Sequence, residues 1–370
     1  MSSENIGSVF AENLLLLGAG FTKNFGGLLA SEMWAEIFNN EEIQAQSRIK
    51  KLMLNDFDYE CVYYSVLEGF KDKEGLLGKK DESIVFEKEE KDTIKKTTTA
   101  AYKYIDEILR EYVINHPHPI ELNYFNDLIY QIGSQGQIVE DYFEDGKRGI
   151  SFTNTKKKSF IFTLNQDLLF ERLFPRNCCA NLSIPGIDNN SEWFTTYFNK
   201  PLEESDYCKL PSEDELSNKD ILLEGNYFLI KLHGSCNWIS YDGSEIMVIG
   251  RGKKGKIQKE PLLKLYFEIF ENVLSQGQRR LFIIGYGFGD RHINEIISEA
   301  IIEHELKVYI LSPESLKTFK EKLCEGSEKS EDTMNIWKGI SGYFQCVEEV
   351  LINSDFKNQA KKTHFYNVFF

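Results

Sequence analysis

Five short apolar runs, each ending in glycine or a polar turn, are the main pattern along this chain. They are LLLLGAG (14–20), SFIFTLNQD (159–167), FLIKLHGS (228–235), LFIIGYGFGD (281–290) and KVYILSPES (307–315). Because their hydrophobicity is continuous rather than alternating, they predict strands covered on both faces, as in a parallel sheet. All but the third lead into a helical pattern, and this alternation predicts a Rossmann-like, doubly wound α/β fold.

Two long segments interrupt the alternation. The first, about 35–155, has helical periodicity in YECVYYSVLEGF and AAYKYIDEILREYV, with the charged loop KKDESIVFEKEEKD between them. We interpret it as an inserted, mainly helical module. The second, about 176–226, has little periodicity and predicts an irregular lid or small subdomain. Residues 1–34 and 156–370 would then form one discontinuous Rossmann-like domain.

The stretch EIMVIGRGKKGKIQ follows the third apolar run and has glycines near its centre. It predicts a hairpin that turns at 252–255. The next stretch, PLLKLYFEIFENVLSQG, has the periodicity of a helix.

Polar and glycine-rich tails follow four of the predicted strands. In open α/β sheets, ligands bind beyond the carboxyl ends of the strands, where the strand order reverses. We therefore expect GAGFT, TLNQD, LHGS and GYGFGD to converge on one crevice.

The tail GAGFT allows two interpretations. Gly18 and Gly20 could serve only to turn a buried strand into a helix. They could also leave room for a phosphate against the backbone N–H groups of a helix N-terminus, with a hydroxyl added by Thr22.

The other three tails carry side chains suited to chemistry. Asn165 could orient a ribose hydroxyl or a water, because its amide both donates and accepts, or it could cap the next helix together with Asp167. His233 could accept a hydroxyl proton near neutral pH, or it could be an ordinary buried histidine. Asp290 could bind a ribose hydroxyl or cap the helix that follows it.

Composition narrows the function classes. The formal net charge of −15 argues against a general nucleic-acid-binding surface, which needs a basic face. The seven cysteines contain no CxxC pair, so we expect reduced thiols and no zinc or other metal site. The N-terminal stretch lacks the pattern of a secretory signal, and no apolar run approaches 18 residues. We therefore expect a soluble, cytoplasmic protein that does not insert into membranes.

Taken together and in order, GAGFT, TLNQD, LHGS and GYGFGD resemble the sirtuin-like (silent information regulator) family. They are most similar to its bacterial antiphage-defence branch, which SCNW (235–238) and DRHINEII (290–297) also fit. The resembling stretches cover about a quarter of the chain.

This resemblance implies an NAD+ site and roles for particular residues. Asn165 and Asp167 match the residues beside the nicotinamide ribose, and His233 matches the catalytic base. The remaining residues would contact NAD+: Gly18, Ala19, Gly20, Phe21 and Thr22 at the pyrophosphate and nicotinamide end, and Gly285, Tyr286, Gly287, Asp290 and Ser312 at the adenosine half.

Two departures from the family's deacetylases favour a different outcome. Their zinc module with two CxxC pairs is absent, and GGLLASEMW stands where they have a Pro-Asp-Phe-Arg segment. Water then becomes the natural nucleophile, which predicts an NAD+ glycohydrolase of antiphage defence that depletes NAD+.

Alternatives remain at this stage. ADP-ribosyl transfer would differ only in the acceptor, and a non-catalytic sensor or scaffold subunit could bind NAD+ or ADP-ribose. Because a freely active NAD+ hydrolase would harm its own cell, we expect gating by homo-oligomerisation or by a partner. The resemblance suggests a HerA-like ATPase or another defence protein, with the 35–155 module as the candidate contact surface.

Overall fold

The computed structural model describes residues 10–115, 138–142, 148–152, 158–173, 182–187, 200–218, 220–222, 227–243, 248–250, 252–326 and 329–345. Its strands are β1 (Asn13–Leu17), β2 (Phe70–Asp72), β3 (Glu82–Ile84), β4 (Ile138–Tyr142), β5 (Arg148–Phe152), β6 (Ser159–Thr163), β7 (Leu182–Ser183), β8 (Cys208–Lys209), β9 (Tyr227–Lys231), β10 (Trp238–Ile239), β11 (Arg280–Ile284), β12 (Lys307–Ser312) and β13 (Ile340–Gln345).

Helices lie between these strands. They are α1 (Ala19–Lys23), α2 (Ala30–Asn39), α3 (Glu41–Ala45), α4 (Ser47–Met53), α5 (Tyr59–Glu68), α6 (Lys88–Asn115), α7 (Leu169–Leu173), α8 (Glu213–Ser217), α9 (Lys253–Lys259), α10 (Pro261–Leu274), α11 (Arg291–His304), α12 (Leu316–Cys324) and α13 (Glu331–Gly339), with a 3₁₀ turn at Glu204–Asp206.

Seven of the strands form one parallel sheet in the order β13-β12-β11-β1-β6-β9-β7. The first strand of the chain therefore lies at the centre, later strands are added on both sides of it, and helices connect them. This arrangement confirms the predicted Rossmann-like, doubly wound α/β fold. The three remaining strand pairs are separate: β2 with β3, β4 with β5, and β8 with β10.

All five predicted strands belong to this sheet, and burial explains why they were recognisable. Every residue of β1 is buried, and Leu15 lies in register between Ile161 of β6 and Phe282 of β11. A strand covered on both faces needs apolar residues at every position, which gives the continuous runs seen in the sequence. The two edge strands, β7 and β13, were not predicted, because neither has such a run.

The predicted hairpin at 252–255 is wrong, because Lys253–Lys259 form helix α9. The apolar side chain of Ile257 is buried and Lys253 is held in an ion-pair network, while a Cβ on Gly255 would meet only open space. Gly255 is therefore an exposed helical glycine and not a turn. The supposed charged loop likewise contains β3 and the first residues of α6.

The described part of the 35–155 segment is mainly helical, with the short pair β2–β3 and the hairpin β4–β5 added. Its buried apolar side chains belong to the same continuous core as those of the sheet. A fully buried ion pair also joins them, since Arg172 of α7 donates to both carboxylate oxygens of Asp106 in α6, at 2.6 and 2.5 Å. The division into domains stays a prediction.

Somewhat less than half of the 176–226 segment lies outside the described residues. Its described parts include β7, β8, α8 and the 3₁₀ turn. In the part of the chain that the structure describes, no helix is both long enough and apolar enough to span a membrane.

Candidate functional site

Four loops meet at the carboxyl edge of the sheet, as the sequence predicts. Gly18 follows β1, Asn165 follows β6, His233 follows β9 and Gly285 follows β11. Direct contacts, described below, join each of these loops to at least one other.

The two glycine-rich turns interlock through their backbones. A Cβ on Gly18 would lie 2.5 Å from the Gly285 oxygen, and one on Gly20 would lie 2.8 Å from the Gly285 Cα atom. The amides of Gly18, Gly20 and Phe21 already donate to the carbonyls of Ile284, Gly285 and Gly18, respectively. The room left by the first two glycines is therefore filled by the second turn, and the structure explains them without a phosphate.

Asn165 is anchored to the first turn and does not cap a helix. Its Nδ2 atom donates to the carbonyl of Gly18 at 2.9 Å and to the hydroxyl of Thr22 at 2.8 Å. Because a carbonyl can only accept, the Gly18 contact fixes which end of the amide is the nitrogen. The Oδ1 atom is therefore the end left to accept a hydrogen bond from a ligand.

The Thr22 hydroxyl links Asn165 to Asp167. It accepts from Asn165 and hydrogen-bonds the Asp167 carboxylate, which also accepts from the Leu169 amide at 3.0 Å. Asp167 thus accepts a hydrogen bond at the start of the next helix, which is one of the two roles that the sequence allowed. It also takes part in the series of hydrogen bonds through Thr22 to Asn165. Burial raises the pKa of Asp167, while the nearby Lys231 ammonium opposes that rise.

Lys231 stabilises the loop that carries Asn165 and Asp167. It is buried, donates to the backbone oxygen of Asp167 at 2.6 Å, and pairs with the buried carboxylate of Glu171 at 2.7 Å.

His233 is buried, and its hydrogen bonds define its protonation. His233 hydrogen-bonds the backbone of Leu164, and this bond raises the pKa of His233 because it favours the protonated ring. The partner is therefore the Leu164 carbonyl, to which His233 donates. The Leu164 amide is not the partner, since it already donates to the carbonyl of Leu17. The Nε2 atom of His233 lies 3.0 Å from Nε2 of His292. With its proton on Nδ1, His233 must accept at Nε2, and His292 must donate.

Burial lowers the pKa of both histidines. The pKa of His233 falls to about 3, to which the ammonium of Lys253 also contributes. The pKa of His292 falls to about 4, chiefly by burial. Both rings are therefore neutral at physiological pH, and the ring of His292 also lies against Phe267, with 5.4 Å between the centroids.

An ion-pair network borders the histidines. Lys253 lies 2.6 Å from Asp290 and 2.7 Å from Glu60, a residue of α5 in the inserted segment. Burial opposes ionisation of Asp290, but His233 and Lys253, together with His292, lower its pKa to about 2. Asp290 stands at the N-cap position of α11, yet its side chain makes no capping bond.

The GYGFGD turn is held by its own side chains. The Tyr286 hydroxyl donates to Oδ1 of Asn294 at 2.9 Å, and Nδ2 of Asn294 donates to the carbonyl of Phe288 at 2.7 Å. These bonds hold Phe288 at a φ of 62°, which is unusual for a residue other than glycine. Gly287 is exposed, and a Cβ there would meet nothing.

The other predicted contact residues occupy varied positions. Phe21 is fully buried and packs against Phe25 and Phe170, with ring centroids 5.5 and 5.9 Å away. Ala19 is exposed at the edge, and Ser312 ends β12, where its hydroxyl accepts from the Glu314 amide.

Sequence reasoning missed three members of this site. His292 was not among the predicted site residues, although its place in DRHIN, beside the glycine-rich turn, was a usable signal. Lys253 was hidden by the hairpin interpretation. Glu60 gave no signal, because it is far from the other residues in sequence.

The sequence predicted no metal site, but three side chains at this edge have metal-binding atoms close together. One ligand atom each from His233, Asp290 and His292 lies within 4.8 Å of the others.

Residues 159–336 match the family model of the SIR2-like domain. The match includes TLNQD, LHGS and GYGFGD, while GAGFT precedes it. SIR2-like domains bind NAD+ and are usually NAD-dependent enzymes, so the match supports a sirtuin-like family and an NAD-dependent activity. No protein with a curated description matches the chain.

Proposed function

We propose that this protein is an NAD+ glycohydrolase, which cleaves the nicotinamide–ribose bond to give nicotinamide and ADP-ribose. One observation carries the proposal. His233 hydrogen-bonds the backbone of Leu164, the residue before Asn165, so the two side chains emerge next to each other from the paired strands β6 and β9. An amide acceptor and a neutral imidazole thus stand together at the sheet edge where ligands of this fold bind.

In the proposed reaction, the oxygen of water bonds to C1′ of the ribose as the C1′–N bond breaks. The bonding electron pair goes to the nicotinamide ring, which neutralises its positive charge, so no acid is needed. His233 takes the proton from water, or from a ribose hydroxyl that it activates. Asn165 Oδ1 positions the ribose or the water, and Asp167 supports it through Thr22.

We place NAD+ along the edge formed by the two interlocked turns. In this proposal Ala19 and Gly287 are its exposed contacts, and Gly18, Gly20 and Phe21 form the floor under the pyrophosphate and nicotinamide. Gly285, Tyr286, Asp290 and Ser312 lie toward the adenosine half. The exposure of Ala19 and the open space at Gly287 support this placement.

The His233–His292 hydrogen bond favours a gated enzyme. The lone pair that would accept the proton is already occupied by the His292 N–H group, so His292 must move before His233 can act. We propose that oligomerisation or a partner, such as a HerA-like ATPase, controls this step in antiphage defence. If His292 never moves, the same site would serve as a non-catalytic NAD+ sensor.

The test is to incubate the purified full-length protein with NAD+ and to follow nicotinamide and ADP-ribose by chromatography, at several protein concentrations. We expect release of both products, and a loss of about 10²–10⁴-fold in Asn165→Ala and His233→Ala. Asn39→Ala and His304→Ala, at exposed or partly exposed helix positions, are matched controls that should retain activity.

Binding distinguishes the remaining outcomes. Protection of the wild type against thermal unfolding by NAD+, without turnover, would support the sensor. Neither turnover nor protection would contradict the proposed site.

A further inference from the structure

His233, His292 and Asp290 place three potential metal ligands close together, whereas base catalysis requires only one of them, His233. The Nε2 atoms of the two histidines face each other at 3.0 Å, and a carboxylate oxygen of Asp290 lies within 4.8 Å of one ring nitrogen of each histidine. Two imidazole nitrogens bound at 2.0–2.1 Å to one tetrahedral zinc ion lie about 3.3 Å apart, so a shift of about 0.3 Å would fit the pair around a metal.

The protonation of His233 already suits a metal ligand. Metal-binding histidines usually donate their second ring N–H to a carbonyl or carboxylate, which fixes the tautomer. His233 has such a partner in the carbonyl of Leu164, and its Nε2 atom faces Nε2 of His292. His292 needs only to move its proton from Nε2 to Nδ1 to become the second ligand.

We propose that His233, His292 and Asp290 bind a Zn²⁺ ion. Two imidazole nitrogens with one carboxylate oxygen form a donor set that suits zinc, and three protein ligands leave one coordination position open. Mg²⁺ and Ca²⁺ fit this donor set poorly, because they prefer sites made of oxygen ligands.

Lys253 is the natural competitor of the metal. Its ammonium lies 2.6 Å from Oδ1 of Asp290, so it occupies the carboxylate and repels a cation. When zinc takes Asp290, Lys253 keeps its second partner, the Glu60 carboxylate at 2.7 Å. The inserted segment thereby supplies the group that lets the lysine release Asp290.

The consequence for activity rests on the proposed function. Zinc would take the lone pair with which His233 accepts a proton, so metal binding and base catalysis exclude each other. Zn²⁺ is therefore an inhibitor of nicotinamide release.

Metal binding is tested directly, without reference to activity. Zn²⁺ is titrated into the full-length protein in competition with a coloured chelator, and the number of bound equivalents is compared between wild type and variants. We expect His292→Ala and Asp290→Asn each to lose one equivalent, or to weaken it by more than about tenfold, and His304→Ala to keep it. The seven cysteines are a second source of zinc sites, so Co²⁺ is bound in parallel, and the equivalent lost must lack a thiolate charge-transfer band.

The Lys253→Met variant distinguishes a loss of zinc binding caused by a missing ligand from a loss caused by misfolding. Removing the competing charge should tighten zinc binding by about tenfold or more, which an unfolded site could not do. Equal zinc binding by wild type, His292→Ala and Lys253→Met would overturn the proposal.

The two proposals can fail separately. Zinc binding that is lost in His292→Ala, in a protein that releases no nicotinamide, would support the metal site and count against the hydrolase. Nicotinamide release that is unaffected by saturating Zn²⁺, with no equivalent lost in the variants, would do the reverse.

Discussion

Gly285 and Phe21 approach so closely that a Cβ on Gly285 would lie 2.1 Å from the Phe21 backbone nitrogen. Gly285 also has a φ of 68°, in the left-handed region. This contact locks the turn after β11 onto the turn after β1.

We predict that Gly285→Ala lowers the free energy of unfolding by at least about 3 kcal/mol, because it adds both a backbone clash and a strained φ. Gly287→Ala is the matched control, since its Cβ would meet open space and its φ is not in the left-handed region. It should change stability by less than about 0.5 kcal/mol. Chemical denaturation of both variants is the measurement, and equal stability of the two would show that the turns do not interlock.

The Thr22 hydroxyl should matter for the reaction and not only for the fold. We predict that Thr22→Val, which removes the bridge between Asn165 and Asp167, lowers the rate of nicotinamide release by about 10–100-fold. Thr22→Ser keeps the hydroxyl and should retain most of the activity. Thermal unfolding of both variants controls for stability, and equal rates for Val and Ser would rule out a positioning role for the hydroxyl.

The buried Arg172–Asp106 ion pair should be costly to break. Asp106→Leu leaves the guanidinium buried beside an apolar side chain, so we expect the free energy of unfolding to fall by about 3–5 kcal/mol. The double variant Arg172→Met, Asp106→Leu should recover much of this loss, because it removes both charges. Denaturant titration provides the values, and a double variant no more stable than the single one would contradict the prediction.

Acid should destabilise the protein through the histidine pair. The pKa values of His233 and His292 fall from 6.5 to about 3 and about 4, so the unfolded chain binds more protons than the folded one below pH 6.5. Stability therefore falls as pH falls, by up to about 2 kcal/mol per histidine between pH 6.5 and 5.

The test is to compare the pH dependence of unfolding in wild type and in His292→Gln. The variant lacks one of the two titrating groups, so it should lose less stability between pH 6.5 and 5. Parallel curves for the two proteins would show that the pKa of His292 is not lowered.

Much of the candidate site could be predicted because its residues follow strands that the sequence reveals. Asn165 and His233 come directly after continuous apolar runs, and parallel strands bring their carboxyl ends to one edge. Lys253 and Glu60 have no such local signal, and the place of His292 beside the glycine-rich turn does not show which residue it contacts. Their importance comes from distances of 2.6–3.0 Å across elements that are far apart in the chain.

The sequence by itself determined the parallel sheet, the order of its motifs and the edge where they meet, because a strand buried on both faces must be apolar throughout. Only the tertiary structure decided what the glycines and the polar side chains do there. Gly18 and Gly20 leave room for the backbone of the turn at Gly285. Asp290 forms an ion pair with Lys253 instead of capping its helix. A strand that is buried on both faces requires an apolar residue at each position of a short segment, so the sequence shows it directly. Contacts between distant elements depend on how those elements pack, which no local sequence pattern shows.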